Sequence, residues 1–171
     1  DNGNSGGPTG RAPKSGRPLP QVTLENEFFW TSGADGILRI QECESCSALI
    51  HPPQPVCRYC RGHRMGVREV SGTATLSGFT VNHRFGLPGL PPPYVVAQVA
   101  IDEDPRVRLT TNIVDCDPET LELGQRLEVV FRQDDDFWLP LFRPAAEQGA
   151  PARLPVDEID PEDFRKHLRP M

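Results

Sequence analysis

Four of the five cysteines in this 171-residue chain fall into two Cys-x-x-Cys pairs, and this spacing restricts the possible folds more than any other feature. The pairs are Cys43 with Cys46 and Cys57 with Cys60, separated by ten residues. Two such tight turns brought together supply four sulfurs for a tetrahedral zinc site. Because all four positions are cysteine, no position is left for water or substrate, which predicts a structural metal. The same ligands would accept a rubredoxin-like iron, whereas two disulfides are disfavoured in a cytosolic protein.

Proline and glycine, 19 and 15 residues respectively, are concentrated in a few segments. Residues 1–20 hold five Gly and four Pro but no aromatic residue, which predicts a disordered linker. Residues 143–171 are predicted to be a flexible tail in which residues 160–168 favour one short helix. The linker and the absence of an initial Met suggest a domain cut from a longer protein.

Residues 21–36 are predicted to hold one short amphipathic helix, over residues 22–31, with Thr23 as a candidate N-cap. The helix carries three adjacent aromatic residues, Phe28, Phe29 and Trp30. A helix this short needs a packing partner to be stable. Two alternatives stay open: the aromatic side chains pack on their own domain, or they contact a partner protein.

The fold class is predicted to be mainly β. Residues 37–67 would form the zinc ribbon, beginning with a strand at residues 37–41. Residues 68–142 hold segments rich in Val, Thr, Ile and Phe, typical of strands. These segments are residues 71–82, 94–101, 107–114, 126–132 and 137–142. A Gly/Pro loop at 84–93 and a single helical turn after Asp117 separate some of them, which favours a five-stranded OB-fold barrel.

The charge pattern argues against nucleic acid as a partner. The net charge is −6, and residues 68–142 contain six basic and twelve acidic residues, the reverse of a nucleic-acid-binding barrel. Arg58, Arg61 and Arg64 crowd the second cysteine pair. They either compensate the doubly negative zinc tetrathiolate or offer an anion site, for example for a phosphate group.

Catalytic and membrane functions find little support in the sequence. Cys116 lies between two aspartates, which raise a thiol pKa, so an incidental thiol is expected. His83 is the one histidine with a weak case for a role, and no catalytic set can be assembled around it. No apolar segment is long enough to span a membrane and no signal peptide is evident, which predicts a cytoplasmic protein.

The order of these features resembles a known family. The matching segments read ENEFFWTSGADGILRIQEC, then HPP and CRYC around the cysteines, then SGTATLSGFTVNH, PPPYVVAQVAID and LGQRLEVVF. They resemble the acyl-CoA-associated OB-fold proteins with a rubredoxin-like zinc ribbon, over residues 22–142. This chain departs from the family at Ser47 and Arg61, where glycine often follows each cysteine pair.

The resemblance implies a non-catalytic accessory subunit with structural zinc, whose partner holds the active site. The expected partner is a thiolase-fold, lipid-transfer-protein-like aldolase, as a two-plus-two heterotetramer with the acyl-CoA at or near the interface. In particular, the chain resembles the C-terminal domains of actinobacterial steroid side-chain enoyl-CoA hydratase subunits, which implies retro-aldol cleavage of a steroid side-chain thioester in cholesterol catabolism. The alternatives are a partner of a thiolase or synthase, and an autonomous module that binds CoA or single-stranded nucleic acid.

Overall fold

A computed structural model describes residues 16–86 and 88–147. Most of the predicted linker, and the predicted tail helix at residues 160–168, lie outside the described residues. The described part is mostly strand, with one short N-terminal helix, a zinc-ribbon region and a closed five-stranded barrel. The predicted fold class is therefore confirmed.

The N-terminal helix α1, Glu27–Thr31, is shorter than the predicted helix at residues 22–31 and continues as a 3-10 turn, Ser32–Ala34. The prediction fails at the start of the helix because Asn26 holds the preceding residues in a turn. The Asn26 side chain accepts a hydrogen bond from the Thr23 N–H at 2.8 Å and donates one to the Gln21 carbonyl. The predicted cap Thr23 therefore lies before the helix, which begins after Asn26.

The ribbon contains a three-stranded antiparallel sheet in the order β2-β1-β3. Its strands are β1, Leu38–Cys43, β2, Leu49–Ile50, and β3, Met65–Val70. The register aligns Leu38 with Val70 and Cys43 with Met65. Strand β3 therefore crosses the predicted boundary between residues 67 and 68, because its pairing partner is the ribbon strand β1 and not a barrel strand.

The barrel closes in the order β4-β5-β6-β8-β7. Its strands are β4, Thr73–Asn82, β5, Tyr94–Ile101, β6, Arg108–Ile113, β7, Arg126–Asp134, and β8, Phe137–Pro144. Each contains most of a segment that the sequence predicted as a strand. The predicted helical turn is a 3-10 turn, Pro118–Thr120, and the Asp117 carboxylate accepts a hydrogen bond from the Glu119 N–H at 3.0 Å.

One apolar core joins all three parts of the structure. Phe29 from the helix and Leu38 and Ile40 from the ribbon belong to the same buried cluster as the barrel residues Leu76 and Phe142. The 3-10 turn approaches the barrel so closely that a Cβ atom on Gly33 would lie 2.4 Å from Phe131 and 2.6 Å from Trp138. The helix and the ribbon are therefore packed as part of the domain.

Candidate metal centre and its surroundings

The four predicted ligands come together at one end of the ribbon sheet. Cys43 ends β1 and Cys46 lies in the turn before β2, whereas Cys57 and Cys60 lie in the connection to β3. Their sulfur atoms all lie within 4.8 Å of one another, with 3.5 Å between Cys43 and Cys60 and 3.7 Å between Cys46 and Cys57. A tetrahedral zinc with Zn–S bonds of about 2.3 Å requires S···S separations of about 3.8 Å. The observed separations are far longer than the roughly 2.05 Å of a disulfide bond, so the geometry favours a metal site over the disulfide alternative.

The two cysteine turns have the same backbone geometry. The Ser47 N–H donates to the Cys43 carbonyl at 2.7 Å, and the Arg61 N–H donates to the Cys57 carbonyl at 3.0 Å. Both donors lie in the left-handed region, with φ of 57° and 62°. These are the positions where the sequence departs from the family's glycine. The metal turns therefore impose a glycine-like conformation on two residues that carry side chains.

Backbone N–H groups donate to two of the sulfurs, and at Cys57 such bonds favour the thiolate form. The Tyr59 N–H donates to the Cys57 sulfur and the Gly62 N–H to the Cys60 sulfur, each at 3.4 Å. Backbone hydrogen bonds from Cys60 and Tyr59 lower the pKa of Cys57 to about 6. Zinc is held by deprotonated cysteine, so the cluster suits this metal, which it would bind in a structural role.

The three arginines near the second cysteine pair are exposed, and Arg58 makes the best-defined contacts. Its guanidinium donates to the His51 carbonyl at 3.3 Å and lies 5.5 Å from the ring centre of Tyr59. Arg106, from the barrel connection between β5 and β6, lies 5.7 Å from the same ring. Tyr59 thus links the ribbon to the barrel. The sequence analysis missed this role. The one available signal was an aromatic residue directly beside a metal ligand.

The aromatic cluster of the helix is divided between the core and the surface. Phe29 is only 4% exposed and belongs to the core, whereas Phe28 and Trp30 are half-buried against it. Phe29 therefore packs on its own domain, the first of the two alternatives, and contact of the cluster with a partner protein stays a prediction. On so short a helix, adjacent side chains point in different directions, and the middle ring points inward. The most exposed apolar side chain nearby is Leu24, at 91%.

The structure does not place the remaining candidates, Cys116 and His83, in a catalytic arrangement. Burial and the charges of Asp115 and Asp117 raise the pKa of Cys116, as predicted, and His83 is exposed. His51, which the sequence analysis passed over, packs against Phe29 with 4.8 Å between ring centres. Burial and the charge of Arg58 lower its pKa to about 4. The sequence signal for His51 was its position at the start of the HPP segment.

Within residues 16–86 and 88–147, no helix combines the length and apolar character needed to cross a membrane.

Two family models match consecutive parts of the chain. Residues 30–66 match the ChsH2 rubredoxin-like zinc ribbon domain, and residues 67–132 match the ChsH2 C-terminal OB-fold domain. Together with the sulfur geometry, the ribbon match confirms the prediction of structural zinc.

Curated relatives carry the same segment. A probable enoyl-CoA hydratase alpha subunit of Thermomonospora curvata is 35% identical over 141 residues, which are 82% of this chain and 44% of the relative. The 3-oxo-4,17-pregnadiene-20-carboxyl-CoA hydratase alpha subunit of Mycobacterium tuberculosis is 28% identical over 73% of this chain and 39% of the relative. The chain thus spans less than half the length of these two subunits. A DUF35 domain-containing scaffold protein of Methanothermobacter thermautotrophicus is 35% identical over 54% of this chain and 69% of the relative.

Solved structures show the same architecture. A chain of the Ltp2-ChsH2(DUF35) aldolase superposes with a TM-score of 0.68 and 33% identity, covering 74% of this chain and 98% of that chain. A DUF35 protein of Sulfolobus solfataricus superposes with a TM-score of 0.54 at 14% identity, over 71% of this chain and 86% of that one, and supports the fold alone. The chain therefore belongs to the DUF35 family of ChsH2-type proteins, in which a rubredoxin-like zinc ribbon precedes an OB-fold barrel.

Proposed function

We propose that this chain is a non-catalytic subunit of a thiolase-fold, lipid-transfer-protein-like aldolase that cleaves an acyl-CoA thioester. The likeness to the Ltp2-ChsH2(DUF35) aldolase carries the proposal, because it spans 98% of that chain at 33% identity. The metal site supports an accessory role, since four cysteine ligands leave zinc no position for a substrate.

The proposed substrate is a β-hydroxy steroid side-chain CoA thioester, in keeping with the steroid named for the Mycobacterium tuberculosis relative. In the retro-aldol step a base of the partner removes the hydroxyl proton, and the bond between the α and β carbons breaks. The electron pair of that bond forms the thioester enolate, which gains a proton at the α carbon and leaves as propionyl-CoA. The β carbon becomes a ring ketone.

The proposed docking face is a groove of mixed polar and apolar lining on the ribbon side of the molecule, whose large apolar side chains are Leu24, Phe28, Met65 and Val67. The groove has a volume of about 300 Å³. Leu24 is 91% exposed and Val67 48% exposed. Covering such side chains with another protein removes apolar surface from water, which favours association.

We also propose that Arg58, Arg61 and Arg64 contact the phosphates of the CoA moiety at the edge of this interface. All three side chains are exposed and follow one another along the second cysteine turn and the segment before β3. Guanidinium groups bind phosphate oxygens through charge-assisted hydrogen bonds. In the complex, replacing the three with Gln should raise the KM for acyl-CoA at least about tenfold with little change in kcat. Arg143→Gln, on the barrel, is the matched control.

Co-expression with the candidate aldolase followed by size-exclusion chromatography tests the docking proposal. The two chains should co-elute as a two-plus-two assembly, and Leu24→Asp should abolish co-elution. Leu123→Asp is the control, because Leu123 is 64% exposed but lies before β7 and outside the groove. Separate elution of the unmodified chains, together with unchanged aldolase activity without this chain, would refute the proposal.

A second candidate function is support of acyl transfer by a thiolase or synthase. It rests on the family resemblance, and the likeness to the Methanothermobacter thermautotrophicus scaffold protein, which is 35% identical, supports the non-catalytic role that both functions require. Product analysis of the co-eluting complex separates the two functions. An aldolase complex forms a ketone and propionyl-CoA from the β-hydroxy thioester, whereas an acyl-transfer complex forms a new thioester from two acyl-CoA molecules.

A further inference from the structure

A cavity of about 270 Å³ lies where helix α1, the HPP segment of the ribbon and barrel strands β6 and β8 meet. It is separate from the zinc site and from the proposed docking face, because no residue lines both this cavity and the groove. Its volume exceeds the roughly 150 Å³ of an apolar cavity that holds a benzene ring.

The cavity exists because β6 and β8 pair only briefly. Among the described residues the two strands form a single parallel pair, Ile113 with Phe142. Farther along, Pro140 has no N–H to donate, and the Thr111 hydroxyl instead donates to the Pro140 carbonyl at 2.8 Å. Beyond this hydrogen bond, the described residues of β6 and β8 form no further strand pairs. The cavity lies there, with Leu109 and Leu139 in its lining.

The interior walls are apolar and one side carries a cation. Phe29, Leu109 and Leu141 are buried lining residues. The Arg17 guanidinium donates to Asn112 Oδ1 at 2.7 Å, and the Asn112 amide in turn donates to the Val95 carbonyl at 2.7 Å. This chain of hydrogen bonds fixes the position of the guanidinium at the cavity.

The charge around the cavity favours an anion. No Asp or Glu is among its lining residues. Arg132 and Asp134 do not line the cavity, but their charges shift the pKa of Arg17 in opposite directions. Arg132 lowers this pKa and Asp134 raises it. The His51 ring is neutral at pH 7, because burial lowers its pKa to about 4. Arg17 is the one Lys or Arg among the lining residues that the structure describes, and partial burial strengthens the attraction between its guanidinium and a negative group.

We propose that this cavity binds a small amphipathic carboxylate, with a ring or chain of about six to ten carbon atoms against the leucine walls and its carboxylate on Arg17. The site does not depend on a partner protein, so its failure would leave the proposed subunit function untouched.

Calorimetric titration of the zinc-loaded full chain with octanoate tests the site. Octanoate should bind with a Kd below about 1 mM, and 1-octanol and acetate should each bind at least about tenfold more weakly. Arg17→Gln should weaken octanoate binding at least about tenfold. The control Arg108→Gln, which removes an exposed cation from β6 outside the cavity, should change it less than twofold.

A second variant checks the apolar part of the site. Leu139→Trp should fill the cavity and abolish octanoate binding while leaving the thermal unfolding transition cooperative. The proposal is overturned if octanoate gives no saturable binding in the millimolar range, if acetate or octanol binds as well as octanoate, or if Arg17→Gln and Arg108→Gln behave alike. Undiminished binding by a folded Leu139→Trp would also overturn it.

Discussion

The close approach of the 3-10 turn to the barrel makes Gly33→Ala a sharp test of how the N-terminal helix is held. A Cβ atom at this position would meet the Phe131 ring at 2.4 Å and the Trp138 Cβ at 2.6 Å. Ordinary carbon contacts lie at about 3.5–4.0 Å, so the atoms must separate by roughly 1 Å. The Phe131 ring can rotate, but the Trp138 Cβ moves only with the β8 backbone.

Overpacking of this kind costs about 1–3 kcal/mol. In a domain of this size each kcal/mol lowers the unfolding temperature by roughly 3–5 °C, so Gly33→Ala should lower it by about 3–15 °C. Gly78→Ala is the matched control, because a Cβ atom there meets nothing within 4 Å. It should leave stability unchanged or raise it slightly, since alanine loses less backbone entropy on folding than glycine.

Thermal and urea unfolding of the zinc-loaded chain, followed by circular dichroism, measures both variants. The helix packs as described if Gly33→Ala alone is destabilised. A Gly33→Ala protein as stable as the Gly78→Ala protein would show that the turn does not lie against Phe131 and Trp138, and would remove the argument that the helix is part of the core.

Three further predictions concern the ribbon. Cys57→Ser should abolish stoichiometric zinc binding, measured by elemental analysis, and unfold the ribbon while the barrel keeps its β signal; a folded, metal-free ribbon would contradict the site. Ser47→Gly should stabilise the zinc-loaded protein by about 1 kcal/mol in urea unfolding, because it relieves a left-handed conformation, and a loss of stability would refute this. His51→Phe should alter the pH dependence of unfolding. The unfolded chain binds a proton between the ordinary pKa of 6.5 and the folded value of about 4, so wild-type stability should fall by about 3 kcal/mol relative to the variant as pH decreases through this range. An unfolding free energy that depends on pH in the same way for both proteins would contradict this prediction.

The parts of the fold that were predictable have strong local signals. The zinc ligands follow from cysteine spacing, and the barrel strands follow from their content of β-branched and aromatic residues. Strand β2 was missed because Leu49–Ile50 is too short to show a period and is defined by pairing with β1. Strand β3 was also missed, and the expected boundary between residues 67 and 68 falls inside it, because residues 65–70 carry no signal for which sheet they join.

The surroundings of the site depend on tertiary contacts that composition does not reveal. The burial of Phe29 beside half-buried Phe28 and Trp30 depends on how the helix meets the barrel. The contact of Tyr59 with Arg106 joins residues 47 positions apart in the sequence. The cavity beside Arg17 depends on a missing ladder between β6 and β8, which is a property of barrel closure rather than of either strand alone.

The two sheets differ in their edges, and this difference has a practical consequence. In the described part of the chain every barrel strand has neighbours on both sides, whereas the ribbon sheet ends at β2 and β3. Unpaired strand edges can pair with other chains, and zinc bound to the four cysteines would hold together the two connections that position both outer ribbon strands. Stripping the metal during purification should therefore cause self-association through the ribbon, with the barrel still folded, so the metal content of a preparation controls its oligomeric homogeneity.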